Sequence, residues 1–227
     1  RIGAANYDTV VCLNHEFLGN HCGGSTPFFV ELTGKLRNNN VIEICVNNDR
    51  TLDRVPMRNT DWFNYGGLYR DLEVIRVPKT FIKDFRIWLV PNNQFNEIAV
   101  SITVSDDTGQ DTVAVNIPEL GIEQALTLNN GHAEGSISTS PELWSPNSPK
   151  LYYVAVQFGQ DTICDRIGFR QISVEGTSIR LNGQSMFLRG MSVHEDDFEL
   201  GKTTSKEDIL RRFRHAKELG CNFLRLA

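Results

Sequence analysis

Between residues 78 and 173, strand-like runs recur about every ten residues, and no other feature of the chain constrains its fold as much. The candidates are 81–90, 97–104, 112–117, 123–128, 134–139, 151–158 and 162–172. Turn signals such as Asp106-Asp107-Thr108-Gly109 and Asn129-Asn130-Gly131 separate them. A series of short strands must bury one face of each against a second sheet, so the spacing predicts an immunoglobulin-like β-sandwich over 78–173. The run lacks the Cys…Trp…Cys pattern of an antibody-type domain.

The residues before it, 1–77, also read as β structure. Val10-Val11-Cys12-Leu13 and Glu16-Phe17-Leu18-Gly19 flank a polar turn at Asn14-His15. Strands are expected at 28–32 and at 41–46, where Val41, Glu43 and Cys45 alternate with Ile42, Ile44 and Val46. A less regular loop, 47–64, leads to a last expected strand at 68–77.

After about residue 174 the pattern changes. A strand-like run at 186–191 ends in the polar loop His194-Glu195-Asp196-Asp197. Ser205 then signals a helix start, with Asp208 three positions on as a short-side-chain capping box. Ile209, Leu210, Phe213, Ala216 and Leu219 supply an apolar stripe, and Gly220 a stop. A second strand follows at 221–226. Strand, helix and strand in this order predict a βαβ unit and hence a parallel pair. Such a unit leaves strand edges unpaired and faces uncovered, so the natural chain is expected to continue beyond Ala227. The opening Arg1-Ile2-Gly3-Ala4 lacks an initiator Met and is expected to lie inside a domain.

Composition narrows the function classes. Of 227 residues, 40% are hydrophobic and 22% charged, a globular balance, and the net charge is -5. The most basic run, Arg211, Arg212, Arg214 and Lys217, is interleaved with acids and reads as a solvated helix face, which speaks against nucleic acid as a partner. No apolar run approaches the roughly 20 residues that span a bilayer, so no membrane partner is expected. Cys12, Cys22, Cys45, Cys164 and Cys221 are odd in number and lack metal-ligand spacing. They read as buried thiols, a Cys12–Cys22 pair being the alternative, and weakly favour a reducing, cytoplasmic setting.

Four motifs, spread along the chain, carry a family resemblance. They are Leu13-Asn14-His15 with Gly23-Gly24-Ser25-Thr26-Pro27-Phe28, and Asp61-Trp62-Phe63-Asn64-Tyr65-Gly66-Gly67-Leu68-Tyr69-Arg70-Asp71. Leu143-Trp144-Ser145-Pro146 with Gly168-Phe169-Arg170 is the third, and Leu181-Asn182-Gly183, Leu188-Arg189-Gly190 and His194-Glu195-Asp196 make the fourth. In this order they resemble the glycoside hydrolases of family 2. Phe63-Asn64-Tyr65-Gly66 and the stretch from His194 to Gly201-Lys202 lean towards the β-glucuronidase branch over the β-galactosidases.

The resemblance implies a mainly β architecture in three parts: an incomplete jelly-roll-like sugar-binding domain (1–77), the immunoglobulin-like sandwich (78–173) and the first βαβ unit of a (β/α)8 TIM barrel (174–227). It implies a retaining exo-β-glycosidase acting on a carbohydrate β-glycoside, without cofactor or metal, and a possible homo-oligomer; a non-catalytic carbohydrate-binding or scaffold β-sandwich protein is the alternative from another class. Retaining enzymes use two carboxyl groups about 5–5.5 Å apart. Both glutamates are expected beyond Ala227, so no catalytic residue is assigned within the chain and the 227 residues alone are expected to be inactive. Asn96-Glu97 imitates the family's Asn-Glu but reads as a turn entering a strand.

The resemblance assigns substrate binding to Asp61, His194 and Arg225. Barrel sites lie at the carboxyl ends of strands, where His194 and Arg225 fall. An acceptor-only carboxylate at Asp61 suits sugar hydroxyls, which donate. The bland readings beside these are a turn-capping aspartate, a solvated loop histidine and an ion-paired core arginine. Trp62 and Tyr65 either stack on a sugar or pack between domains, and Trp144 reads as sandwich core. Adjacent acids at 195–197 rarely converge on one metal ion.

Overall fold

A computed structural model describes residues 1–105 and 111–226. The expected turn at Asp106-Asp107-Thr108-Gly109 and the final Ala227 lie outside the described residues. The fold is mainly β with several sheets, and the chain divides into two compact units, Arg1–Ile75 with Gly190–Ala227, and Arg76–Arg189.

In the first unit, β1 (Ala5–Asn6) is followed by β2 (Asp8–Leu13), β3 (Glu16–Cys22), β4 (Ile42–Asn47) and β5 (Gly67–Leu68). β2 is the central strand of a sheet ordered β3-β2-β4, and β1 pairs with β5. Thr9, Val11 and Leu13 point inward along β2 while Val10 and Cys12 point out, the period of two that a half-buried strand imposes. The β2–β3 hairpin turns at Asn14 and His15, both at positive φ (52° and 69°). That backbone is the type I′ connection whose twist suits a two-residue hairpin, and Asn tolerates it better than most residues. Ile2, Ala5, Val11 and Phe28 form the buried core, with Leu18, Val30, Ile44 and Val46 against it.

Two expected strands here are not formed. Only Phe28 of 28–32 joins a ladder, through reciprocal backbone bonds with Ile2 (2.9 and 3.0 Å). Of 68–77, Leu68 pairs and Leu72 bridges to Ile2, while Val74 and Ile75 stay exposed. Apolar, β-branched sequence favours a strand only where a partner edge is available.

The second unit begins with β6 (Ile82–Leu89), β7 (Glu97–Val104), β8 (Thr112–Ile117), β9 (Ile122–Thr127), β10 (His132–Ser138), β11 (Tyr152–Phe158) and β12 (Asp161–Ile167). They form two antiparallel sheets, β10-β7-β6 and β12-β11-β8-β9. Alternate residues, such as Ile98, Val100 and Ile102 of β7 and Val154, Val156 and Phe158 of β11, fill one shared core. Asn96 and Glu97 lie where a turn enters β7: Asn92 Oδ1 accepts from the N–H groups of Gln94 (2.9 Å) and Phe95 (2.6 Å) just before the strand. Trp144 is not in this core. Its ring is half-buried at the rim, with the Arg170 guanidinium 5.2 Å from its centroid, and Leu143 packs inward instead.

The meander β13 (Ile172–Glu175), β14 (Ser178–Leu181) and β15 (Gln184–Ser185) belongs to the same compact unit, which runs to Arg189. Asn182 ties it down, accepting from Gln171 N–H (3.0 Å) and donating to the Trp144 carbonyl (3.1 Å). The chain then returns to the first unit with β16 (Gly190–Val193), α1 (Lys206–Glu218) and β17 (Phe223–Leu226). β16 and β17 are parallel, with Gly190 opposite Phe223. β16 starts four residues later than the strand read from sequence.

Helix α1 begins with the capping box expected at Ser205 and Asp208. It ends where Gly220, at φ 72°, donates to Lys217 O and Cys221 to Ala216 O, satisfying the last carbonyls. Its apolar stripe is largely uncovered: only Ala216 is buried, and Leu210, Phe213 and Leu219 are exposed.

All five cysteines are free, and none is fully buried; Cys22, Cys45 and Cys164 are exposed. This corrects the buried-thiol expectation. It also removes the Cys12–Cys22 alternative, because Cys12 faces Phe17 and Cys22 faces Asp8 along one hairpin.

Candidate functional site: the 47–66 loop and the loop after β16

The loop between β4 and β5 has few apolar anchors and is held by polar ones. Asn48 and Asn64 bond each other's backbone carbonyls (3.0 and 2.5 Å), and Asn6 Nδ2 donates to Tyr65 O (2.5 Å). A side chain at Gly66 would sit 2.6 Å from Asn48 Nδ2, so the amide clamp requires glycine there. Arg50 donates to the carbonyls of Thr60 (2.9 Å) and Trp62 (2.6 Å). Arg54 pairs with Asp8, donates to Asp49 O and lies over the Tyr7 ring.

These bonds present Trp62 beside His194, their ring centroids 6.3 Å apart and their planes at 68°. The second loop is fixed independently. Asp197 and Gly201 exchange backbone bonds (2.7 and 3.0 Å), and Asp197 Oδ1 accepts from the N–H groups of Glu199 and Leu200, which hold its carboxyl below the usual carboxylate range. Gly201 sits at φ 61° with the Tyr65 ring 2.8 Å from where a Cβ would be, so the turn and the aromatic meet only without a side chain. Arg212 of α1 donates to Asp196 O (3.1 Å).

Arg70 joins the two segments. It donates to Glu195 Oε2 (2.7 Å) and to Lys202 O (2.9 Å). Its guanidinium and the Lys202 ammonium each lie 5.2 Å from the Tyr69 ring centroid. Burial pushes the Tyr69 phenol up, against the lowering effects of Ser25 and the Arg70 charge, so the hydroxyl stays protonated at neutral pH.

Two clefts result. One, about 200 Å³, is lined by Trp62, Tyr65, His194, Glu195, Asp196 and Lys202 among others. The second, about 430 Å³, is lined by Ser25, Tyr69, Arg70, Asp71, Glu195 and Lys202 among others. An aromatic face, an imidazole and acceptor carboxylates together suit a polyhydroxylated ligand with apolar ring faces. Among the described residues, no three His, Cys, Asp or Glu side chains are grouped to hold a metal ion, and no helix is long and apolar enough to cross a membrane.

Of the residues singled out from sequence, His194 lines the smaller cleft. Asp61 is exposed on the loop immediately before Trp62 and lines neither cleft. Arg225, on β17, is exposed and reaches Ser192 Oγ at 3.4 Å. Arg70, Glu195, Lys202 and Arg50 were not singled out as site residues. Arg70, Glu195 and Lys202 all sit inside or beside the resembling motifs, whereas nothing in the spacing marks Arg50 as the residue that reaches Thr60 and Trp62.

Known proteins share both the sequence pattern and the fold. Residues 80–170 match the model of glycosyl hydrolases family 2. The chain is 28% identical to a β-glucuronidase of Paenibacillus borealis over 99% of the chain and 42% of that protein. It is 22% identical to a β-galactosidase of Staphylococcus xylosus over 96% of the chain and 22% of that protein. A β-glucuronidase from Ruminococcus gnavus, solved in complex with a C6-substituted uronic isofagomine, superposes with a TM-score of 0.82 at 23% identity, over all of this chain and 42% of that one. The chain thus spans less than half the length of these relatives. Residues 80–170 thus resemble the glycosyl hydrolases of family 2, and nearly the whole chain is similar in sequence to a β-glucuronidase and a β-galactosidase.

Proposed function

We propose that the natural protein is a retaining exo-β-glycosidase acting on β-glucuronides, and that this chain supplies its accessory β domains and part of the sugar-binding wall. The observation that carries this reading is the meeting of Trp62 and His194, drawn from distant stretches of sequence, at one cleft. In this reading Trp62 packs against a sugar face and His194 hydrogen-bonds a hydroxyl. Asp61 accepts from a second hydroxyl, and Arg225 gives electrostatic support. The β sheet of the first unit is a jelly-roll-like sugar-binding domain, β6 to β12 an immunoglobulin-like sandwich, and β16-α1-β17 the start of a (β/α)8 barrel. In this reading the acid/base and nucleophile glutamates belong to parts of the natural protein other than these residues.

Similarity to the Staphylococcus xylosus enzyme along 96% of the chain favours a β-galactosidase as the second reading. Hydrolysis of p-nitrophenyl β-glucuronide, galactoside, mannoside and glucoside by the natural full-length protein separates the two. Preference for the glucuronide supports the first, and preference for the galactoside replaces it with the second. No turnover on any of the four refutes both.

A further inference from the structure

We propose that Arg50 is a positioning residue that sets the placement of Asp61, an inference that rests on the glycosidase reading above. The two carbonyls that Arg50 engages, Thr60 O at 2.9 Å and Trp62 O at 2.6 Å, belong to the residues on either side of Asp61. One planar guanidinium therefore spans the backbone that carries the carboxylate. Two parallel N–H donors in a rigid fork fix both separation and orientation, which a single ammonium cannot do.

The rest of the loop makes this grip decisive. Val55, Met57 and Phe63 are largely exposed, so apolar packing does little to hold the segment. The Asn48–Asn64 clamp and the Asn6 bond to Tyr65 act downstream of Trp62, and Arg54 holds the upstream limb at Asp49 and Asp8. Between these anchors Thr60 also bonds back to Met57 O through its N–H (3.2 Å) and hydroxyl (2.5 Å), a turn on the upstream side alone, whereas the Arg50 fork holds the backbone on both sides of Asp61. Asp61 itself is exposed and lines neither of the two clefts, so its aim follows its backbone. Arg50 touches neither cleft and acts only through the residues it holds.

The test is a double-mutant cycle in the natural full-length protein, read as separate kcat and KM values on p-nitrophenyl β-glucuronide or whichever of the four glycosides it prefers. A carboxylate that binds a hydroxyl equally in ground and transition states appears in KM. Asp61→Asn is expected to raise KM about tenfold, the loss of one charge-assisted hydrogen bond. Arg50→Met should raise KM by at least a similar factor with kcat nearly unchanged, and should add less in the Asp61→Asn background than it does alone, the remainder acting through the Trp62 carbonyl that the same fork holds. Arg50→Lys, which keeps the charge but not the fork, should recover only part of the loss. A fall in kcat at constant KM for Arg50→Met, an equal penalty in both backgrounds, or complete recovery by Lys overturns the proposal while leaving the glycosidase reading in place. Absence of turnover by the unsubstituted protein overturns both.

Discussion

Arg70 Nη2 donates to Glu195 Oε2 at 2.7 Å, linking the end of the first β segment to the loop after β16 across 125 residues of sequence. The side chains are 26% and 30% exposed, so the pair is shielded enough to matter and wet enough not to carry a full desolvation cost. Arg70→Met also orphans the Lys202 carbonyl and is expected to destabilise the first unit by about 2 kcal/mol, the scale of hydrogen bonds to charged groups. Glu195→Gln keeps an acceptor and should cost less. Urea unfolding of both variants measures this, and equal costs would contradict the assignment of the bond.

Trp62 and His194 are expected to affect turnover in the same direction. In the natural full-length protein, His194→Ala should lower kcat/KM at least tenfold, since one lost hydrogen bond of about 1.4 kcal/mol is worth a factor of ten. Trp62→Ala should fall by a comparable factor through lost stacking, while Trp62→Phe retains more activity. Unchanged steady-state kinetics for both Ala variants would remove this cleft from the substrate path.

Phe158 is 1% exposed at the centre of the sandwich. Phe158→Ala leaves a cavity between two sheets that cannot readily collapse, and should cost about 3–5 kcal/mol. Trp144→Ala, at the rim beneath Arg170, should cost markedly less. Thermal unfolding of the two variants side by side tests the assignment of core and rim.

The start of α1 carries a pH dependence. Ser205 Oγ donates to Asp208 Oδ2 (2.7 Å) and Ser205 N–H donates to the same oxygen (3.1 Å), holding the Asp208 carboxyl below its ordinary value. A depressed folded-state value means the stabilisation is fully present above the ordinary aspartate range. It is lost as pH falls through the lower folded value. The urea midpoint of Asp208→Asn should therefore lie below that of the unsubstituted protein at pH 7, with the gap narrowing below about pH 4, near the ordinary aspartate value. Ser205→Ala should cost about 1 kcal/mol at neutral pH. A gap that widens on acidification would reverse the sign and exclude the cap as its source.

Short-range chemistry was legible in the sequence. The Asn14-His15 turn, the strands β7 and β11, and the Ser205–Asp208 box depend on residues within a few positions of one another, and each forms where the pattern places it. The motifs contain both His194 and Trp62, but nothing in their spacing marks the two rings as neighbours. What tertiary structure decided depends on partners remote in sequence. The stretches 28–32 and 68–77 are as apolar as true strands, but a ladder needs a second edge, and only Phe28, Leu68 and Leu72 find one. None of the thiols that look like core residues is fully buried, because a strand's other face is equally open to cysteine. The association of 190–227 with 1–75, the Arg70–Glu195 bond that serves it and the Arg50 fork around Asp61 all arise where the folded chain brings a long, charged side chain to a distant acceptor. Spacing along the chain carries no record of those distances.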